Sequence, residues 1–148
     1  MKLLLVSPED SSGWSAYHKI RREVLWESRG RTNYRDDHPD ECAPDHYPML
    51  FFVNDRPVGV LRVDIDSERK EGIFRRVAIT VNEQRQGYGK KMMNAAEDFA
   101  VKIGCNRFVS YVARDAAPFY EKLGYRFAPS ADDDPINPRM TKEEIRAS

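Results

Sequence analysis

The chain has 148 residues, of which 41% are hydrophobic and 32% are charged, and its formal net charge is zero. This balance predicts one soluble globular domain over residues 1–148, and it argues against a disordered chain. Neither nucleic acid nor an anionic membrane is expected as a partner, because proteins that bind these anionic surfaces usually carry an excess of basic residues. Cys42 and Cys105 lack metal-ligand spacing, so we expect no metal site. Both are expected to be free thiols in the cytoplasm, although the sequence is also compatible with one disulfide.

The N-terminal third predicts one strand, one helix and a long loop. Lys2–Val6 suits an edge strand, and its apolar run is too short for a signal peptide or a membrane span. A helix capped by Ser11 or Ser12 is expected to reach about residue 28. Residues 29–48 lack periodicity, so we expect a loop with at most one short helix, and loops of this length are often functional. The apolar face of the helix would comprise Tyr17, Ile20 and Val24.

Three strands of an antiparallel meander are predicted next. Met49–Val53 and Val58–Asp66 flank an Asn-Asp-Arg-Pro turn, which is a hairpin signal, and Ile73–Val81 follows as the third strand. In the second strand apolar and polar residues alternate, so one face is expected to be buried and the other to be polar. The buried face would comprise Leu61, Val63 and Ile65, and the polar face Arg62, Asp64 and Asp66.

The second half of the chain predicts a helix, a strand, a short helix and a hairpin. The helix Lys91–Ile103 ends at Gly104 and precedes the strand Phe108–Val112, which implies a right-handed crossover and a parallel pair. Asp115 is expected to cap a short helix over residues 116–122. The final hairpin would pair residues 125–128 with 139–142 around an acidic loop, and the sum is an α+β fold. The apolar stripe of the first helix comprises Met92, Ala96, Phe99 and Ile103.

A glycine-rich segment joins the third meander strand to the helix that follows, with the sequence Gln84-Arg85-Gln86-Gly87-Tyr88-Gly89-Lys90. Glycines at such a junction let backbone N–H groups approach an anion, and the helix N-terminus adds partial positive charge, which suits a phosphate or pyrophosphate. The segment matches neither the dinucleotide fingerprint nor the nucleoside-triphosphate loop. Taken alone, it is equally compatible with an ordinary turn and does not choose between ATP, NAD and CoA.

A second motif occupies the short helix, where residues 116–125 are Ala-Ala-Pro-Phe-Tyr-Glu-Lys-Leu-Gly-Tyr. Ala116, Phe119 and Leu123 are expected to form its apolar face, with Tyr120 beside that face. A phenol with a pKa of about 10 can donate a proton to a departing thiolate. By itself, an aromatic residue in this position is more often explained by packing.

Together, the two motifs at this spacing resemble the GNAT superfamily of acyl-CoA-dependent N-acyltransferases. The resemblance is strong over Ile73–Phe127 and follows the element order over nearly the whole chain. It implies a single-domain fold with a mixed central sheet of about six to seven strands, about four flanking helices and a V-shaped split between the central strands. One departure is Ala113, because many members have an asparagine there that contacts the cofactor.

The resemblance also implies acetyl-CoA as cosubstrate. Its pantetheine arm would pair with the backbone of Val77, Ala78 and Ile79, and Tyr120 would protonate the departing thiolate. The implied activity is N-acetylation of a primary amine by direct attack in a ternary complex. The alternative is a non-catalytic acyl-CoA-binding regulatory module on the same fold. The pyrophosphate would lie on Gln84, Arg85, Gln86, Gly87, Tyr88, Gly89 and Lys90.

The base and the amine acceptor are left open by the sequence. The acceptor is expected to be a small-molecule or peptide amine, and a homodimer is compatible with the resembling family. The acidic run Asp132–Asp134 could attract a cationic amine, although such a run is more often simply solvated. The candidate bases, each more readily explained as an ordinary surface or loop residue, are Asp64, Glu71, Glu83, His38 and His46, with a water chain as the other possibility.

Overall fold

The computed structural model describes residues 1–31, 33–35, 37–130 and 136–144, in which seven strands form one mixed sheet. Their spatial order is β1-β2-β3-β4-β5-β7-β6, and each neighbouring pair is antiparallel except β4 and β5. The predicted α+β architecture is confirmed, with three α-helices in the described residues where about four were expected. The strands are β1 (Lys2–Leu5), β2 (His46–Val53), β3 (Arg56–Asp66), β4 (Glu71–Ile79), β5 (Arg107–Tyr111), β6 (Arg126–Phe127) and β7 (Arg139–Glu143), and the α-helices are α1 (Ser11–Arg21), α2 (Tyr88–Ile103) and α3 (Ala117–Lys122).

The first helix differs from its prediction at both ends. Its N-cap is Asp10 rather than a serine, because the Asp10 carboxylate accepts a hydrogen bond from the backbone N–H of Gly13 at 3.1 Å. At the other end α1 widens into one π-helical turn over Arg22–Trp26, and a short 3-10 turn follows. The helical path therefore reaches Arg29 as expected, but the wider turn changes which side chains face the sheet.

Both faces of the sheet are covered. Val60 of β3 packs with Tyr17 and Ile20 of α1, whereas Leu61 packs with Met92 of α2 on the opposite face. The prediction of the apolar stripe on α2 is wrong at one residue, because Ile103 is 44% exposed. Additional buried α2 side chains are Met93, Glu97 and Ala100.

The predicted polar face of β3 is present but buried, so the expectation that Asp64 is a solvated surface acid is wrong. Arg62 and Asp64 are each only 6% exposed, because α1 and the loop after it cover this face. Arg62 donates to both oxygens of Asp64, at 2.7 and 2.9 Å, and Arg75 donates to Asp64 at 2.9 Å. The alternation along β3 is confirmed, and its polar side chains can be buried because charged partners satisfy them.

A second buried ion pair fastens the 29–48 loop to α1. Glu41 accepts from Arg21 and from the Tyr17 hydroxyl, the latter at 3.1 Å, and Glu41 and Arg21 are 3% and 4% exposed. Glu41 belongs to a short 3-10 turn, Pro39–Cys42, which is the one short helix expected in this loop. The loop is therefore anchored by charge as well as by the aromatic packing of Tyr34 on His18 and Trp26.

Replacing Glu41 with glutamine is expected to lower the free energy of unfolding by about 3–5 kcal/mol, because the Arg21 charge is then left buried without a counter-ion. Chemical denaturation of the two proteins measures this difference. Asp98→Asn on the exposed side of α2 makes the same charge change without a buried partner and should cost less than about 0.5 kcal/mol. Equal unfolding midpoints for the two variants would contradict a structural role for the pair.

The C-terminal elements follow the prediction, with corrections at the cap and at the apolar face of α3. The Asp115 cap is wrong: a 3-10 turn, Arg114–Ala116, precedes α3, whose N-cap is Ala116 without a side-chain cap. Phe119 is 37% exposed while Tyr120 is 7% exposed, so Tyr120 lies on the buried face and not beside it. The final hairpin forms between β6 and β7. Within the described ranges, no helix combines the length and apolar character of a membrane span. Asp132–Asp134 lie outside the described residues.

Candidate functional site

The central parallel strands separate halfway along their length. Only Glu71–Phe74 of β4 pair with β5, where their partners are Arg107–Ser110, whereas β4 itself continues to Ile79. Between Arg75 and Ala78, β4 has one residue more than the stretch of β3 that faces it. Arg76 lies in this stretch and has a φ of +57°. An extra residue of this kind is a β-bulge, which bends the strand and increases its twist. The bulge therefore accounts for the predicted split, which opens beyond Phe74 and Ser110.

The glycine-rich segment lies directly after the split strand. α2 begins at Tyr88, three residues earlier than predicted, so Tyr88, Gly89 and Lys90 form its first turn. Their backbone N–H groups have no acceptor four residues earlier in the helix and are available to an anion. Gly87 precedes them with a φ of +81°, a conformation that glycine adopts without strain.

The other residues that were predicted to contact the phosphates have different roles in this turn. The Gln84 side-chain amide donates to the carbonyl of Ile79 at 2.9 Å, so Gln84 ties the turn to the end of β4. Arg85, Gln86 and Lys90 have exposed side chains, and Arg85 has a φ of +64°. The turn thus presents basic side chains and free N–H groups beside the open end of the split.

Gly89 brings the two sequence motifs into contact. A β-carbon at this position would lie 3.1 Å from Cζ and 3.2 Å from Cε1 of Phe119, which is tighter than ordinary packing allows. The missing side chain therefore lets α3 approach the N-terminus of α2. The contact brings Phe119, and with it the neighbouring Tyr120 on α3, toward the glycine-rich turn.

A cavity of about 440 Å³ occupies the mouth of the split. Phe74, Arg76 and Val77 of β4 form one wall, Tyr111 and Val112 at the end of β5 form another, and Tyr120 contributes from α3. Its volume falls in the range of small-molecule sites. The other lining residues are Leu25, Trp26, Arg29, Arg31, Ala113, Arg114, Asp115, Ala116, Ile136 and Asn137.

Tyr120 carries a proton under all ordinary conditions. Burial raises the pKa of its phenol to about 12, and a hydrogen bond with Ser110 acts in the opposite direction. The Ser110 hydroxyl in turn donates to the carbonyl of Phe74 at 3.3 Å, at the last paired residue of β4. Tyr120 is therefore a neutral hydrogen-bond donor, held at the vertex of the split.

None of the five candidate bases lines this cavity. Asp64 is held by Arg62 and Arg75, as described above. Glu71 is buried between Arg107 and Arg139, at 3.2 and 3.4 Å. The expectation that these two acids are solvated is therefore wrong.

The other three candidate bases also lie away from Tyr120. Glu83 pairs with Arg56. The Nδ1 atom of His46 lies 2.5 Å from the Asp40 carbonyl oxygen, and its Nε2 atom lies 3.6 Å from Asp64. His38 is exposed beside Asp40. Asp115 is the one carboxylate that the described residues contribute to the cavity wall.

Several wall residues were not singled out from the sequence. Trp26 reaches the cavity because the π-helical turn ends α1, and Arg76 reaches it because of the bulge. The adjacent Arg75-Arg76 pair in the middle of a largely apolar strand is the signal that the sequence offers. Ala113, at the position where the resembling proteins often have asparagine, also lines the cavity.

A split parallel pair with a glycine-rich turn at the next helix N-terminus defines the acyl-CoA N-acyltransferase fold. A family model, the acetyltransferase (GNAT) family, matches residues 14–125, and the chain therefore belongs to this family. A protein of Bacillus subtilis strain 168, described as a candidate acetyltransferase, is 32% identical over 111 residues, covering 74% of each chain.

Solved structures share the fold over nearly the whole chain. A candidate N-acetyltransferase from Lactobacillus plantarum superposes with a TM-score of 0.78 at 23% identity, covering 97% of this chain and 98% of the other. An aminoglycoside 6'-N-acetyltransferase complexed with coenzyme A gives a TM-score of 0.77 at 14% identity, covering 100% and 99%. ElaA from Escherichia coli gives 0.75 at 16% identity, covering 96% and 97%. At these identities the likeness shows the fold, and the family supports an acyl-CoA-dependent acetyltransferase.

Proposed function

We propose that this protein transfers the acetyl group of acetyl-CoA to the nitrogen of a primary amine, by direct attack in a ternary complex. The observation that carries the proposal is the position of Tyr120, a buried and protonated phenol on the wall of the cavity at the open end of the split. The anion-binding turn at residues 84–90 lies beside the same split. A cosubstrate with a pyrophosphate at one end and a thioester at the other fits this arrangement.

The backbone of β4 beyond the bulge receives the pantetheine arm in this proposal. Val77, Ala78 and Ile79 have no β5 partner among the described residues, so that side of the strand can pair with an extended amide chain. A backbone N–H of this segment would also stabilise the oxyanion that develops when the amine attacks the thioester carbonyl.

The chemistry then requires two proton movements. The amine nitrogen forms a bond to the carbonyl carbon, and the carbon–sulfur bond of the tetrahedral intermediate breaks. Tyr120 donates a hydrogen bond or its proton to the departing sulfur. The attacking nitrogen loses a proton to water or to Asp115, the carboxylate on the cavity wall. Most of the acceleration would come from holding the amine and the thioester together.

A thiol-release assay with acetyl-CoA and a panel of amines tests this proposal. We expect release of CoA that depends on the amine, with an N-acetyl product identified by mass spectrometry in equal amount. The matched control is the same panel with Tyr120→Phe, which should bind acetyl-CoA but release CoA slowly. Tight binding of acetyl-CoA without turnover on any amine would instead favour the non-catalytic regulatory module.

A further inference from the structure

The cavity at the split has a strongly positive wall. Among the described residues it is lined by four arginines, Arg29, Arg31, Arg76 and Arg114, and by a single carboxylate, Asp115. The whole chain has 24 basic and 24 acidic residues, so this excess is local and is not a consequence of overall charge. An arginine side chain keeps its charge at every accessible pH.

Two of these guanidinium groups are organised by one aromatic ring. Arg31 and Arg76 lie 5.9 and 5.2 Å from the ring centroid of Trp26, within the range of a cation–π contact. Tyr34 packs edge-on against the same ring at 5.0 Å and steadies it. Trp26 therefore holds two positive charges at one edge of the cavity. A bound anion would offset the repulsion between them.

The cavity arginines, whose side chains are exposed, differ in their partners from the arginines that the fold covers. Arg21, Arg62 and Arg139 each lie within 4.0 Å of a carboxylate. In contrast, across residues 1–31, 33–35, 37–130 and 136–144, no carboxylate comes within that distance of the four cavity arginines. Desolvation lowers the pKa of Arg76, as do the charges of Arg21 and Arg62, while Glu41 acts in the opposite direction, and an added anion would raise this pKa.

We propose that the acceptor is an amine that also carries an anionic group, a carboxylate or a phosphate, which the Arg31–Trp26–Arg76 cluster binds. This inference rests on the proposed function and names its substrate class. Bidentate hydrogen bonding of a guanidinium to a carboxylate or phosphate would orient the acceptor, and its amine would then point toward the thioester at Tyr120. A small-molecule acceptor of this class suits the cavity, whose volume is about 440 Å³.

The same charges help to explain how the amine becomes nucleophilic without a dedicated base. An amine with a pKa of about 10 is mostly protonated at neutral pH and must lose that proton before it attacks. Neighbouring positive charges disfavour the ammonium form and lower its pKa. The cluster would thus attract the anionic end of the acceptor and favour the neutral form of its nitrogen.

Matched pairs of amines test the proposal through kcat/KM. The pairs are phosphoethanolamine with ethanolamine and β-alanine with propylamine, and the two anionic members distinguish phosphate from carboxylate recognition. Spermidine and kanamycin represent polycationic acceptors. We expect the anionic member of at least one pair to be preferred by about tenfold or more, because a hydrogen bond to a charged group has this strength. The preference should shrink as salt is raised from about 0.02 to about 0.5 M.

Arg76→Gln and Arg31→Gln should each reduce the preference for the anionic member by at least about fivefold, while leaving acetyl-CoA affinity unchanged. Arg126→Gln on β6 removes the same charge away from the cavity and should change nothing. Arg76→Glu should shift selectivity toward the amine that lacks the anion. Thermal unfolding of each variant confirms that the fold is kept.

The outcomes separate this inference from the proposed function. Turnover that favours spermidine or kanamycin, or a preference unchanged in both arginine variants, overturns the anionic acceptor and leaves the acetyltransferase intact. If no amine of either class is acetylated, the proposed function fails. Calorimetric binding of the same pairs to the CoA-saturated protein then decides the anion preference, and equal binding of both members overturns it.

Discussion

Tyr120→Phe is expected to lower kcat by about 100-fold or more, while the dissociation constant of acetyl-CoA changes by less than about threefold. The substitution keeps the ring that packs against Phe119 and Tyr125 and removes only the hydroxyl. Steady-state kinetics and equilibrium binding measure the two quantities separately. A loss confined to kcat is the signature of a group that acts on the departing sulfur.

Tyr111→Phe is the matched control, because Tyr111 presents a phenol to the same cavity from the end of β5. It should leave kcat within about twofold of the parent value. Since burial raises the pKa of Tyr120 to about 12, the parent enzyme should not lose activity through ionisation of this phenol below a pH of about 11. An unchanged kcat for Tyr120→Phe at every pH would remove Tyr120 from the mechanism.

Gly87→Asp is expected to weaken CoA binding at least about tenfold relative to Gly87→Asn. Both side chains tolerate the φ of +81° better than other residues do, and a β-carbon there meets no atom within 4 Å, so neither variant should clash. They differ by one negative charge at the point where the pyrophosphate would lie. Calorimetric titration with CoA measures the difference.

The effect on folding should run in the opposite direction. Residue 87 is the N-cap of α2, and an aspartate at that position is favourable for a helix and its dipole. The melting temperature of Gly87→Asp should therefore equal or exceed that of Gly87→Asn, although CoA binds more weakly. Equal CoA affinities in the two variants would mean that the turn at 84–90 does not hold the phosphates.

The sequence was most informative where local chemistry determines structure. Gly87 marked a turn that needs a positive φ, and the apolar spacing of α2 predicted the face that covers the sheet. The parallel β4–β5 pair followed from the handedness of strand–helix–strand connections. These features depend on a few neighbouring residues, so one sequence was enough to predict them.

The features that sequence patterns do not predict depend on contacts between distant segments. Alternation along β3 predicts a polar face that includes Arg62, but only the fold shows that α1 buries this face and that Arg62 pairs there with Asp64. Trp26 and Arg76 lie 50 positions apart in the chain and meet only because a π-helical turn and a β-bulge redirect them. Neither irregularity has a reliable local signature.

In the proposed function the two halves of the cavity have different roles. Tyr120 and the unpaired backbone of β4 would bind the thioester. The cluster Arg31–Trp26–Arg76 would bind the acceptor, and its charge would select the substrate. Positive charge near the nitrogen could take the place of a strong base, which agrees with the ion-paired state of Asp64, Glu71 and Glu83.

The most direct test of the account is a structure of the protein with CoA bound. We expect the pyrophosphate on the backbone N–H groups of residues 87–90 and the sulfur within about 4 Å of the Tyr120 hydroxyl, the reach of a hydrogen bond to sulfur. The pantetheine arm should run along Val77–Ile79 in the split. A sulfur atom outside the cavity, or phosphates bound away from the glycine-rich turn, would contradict the account.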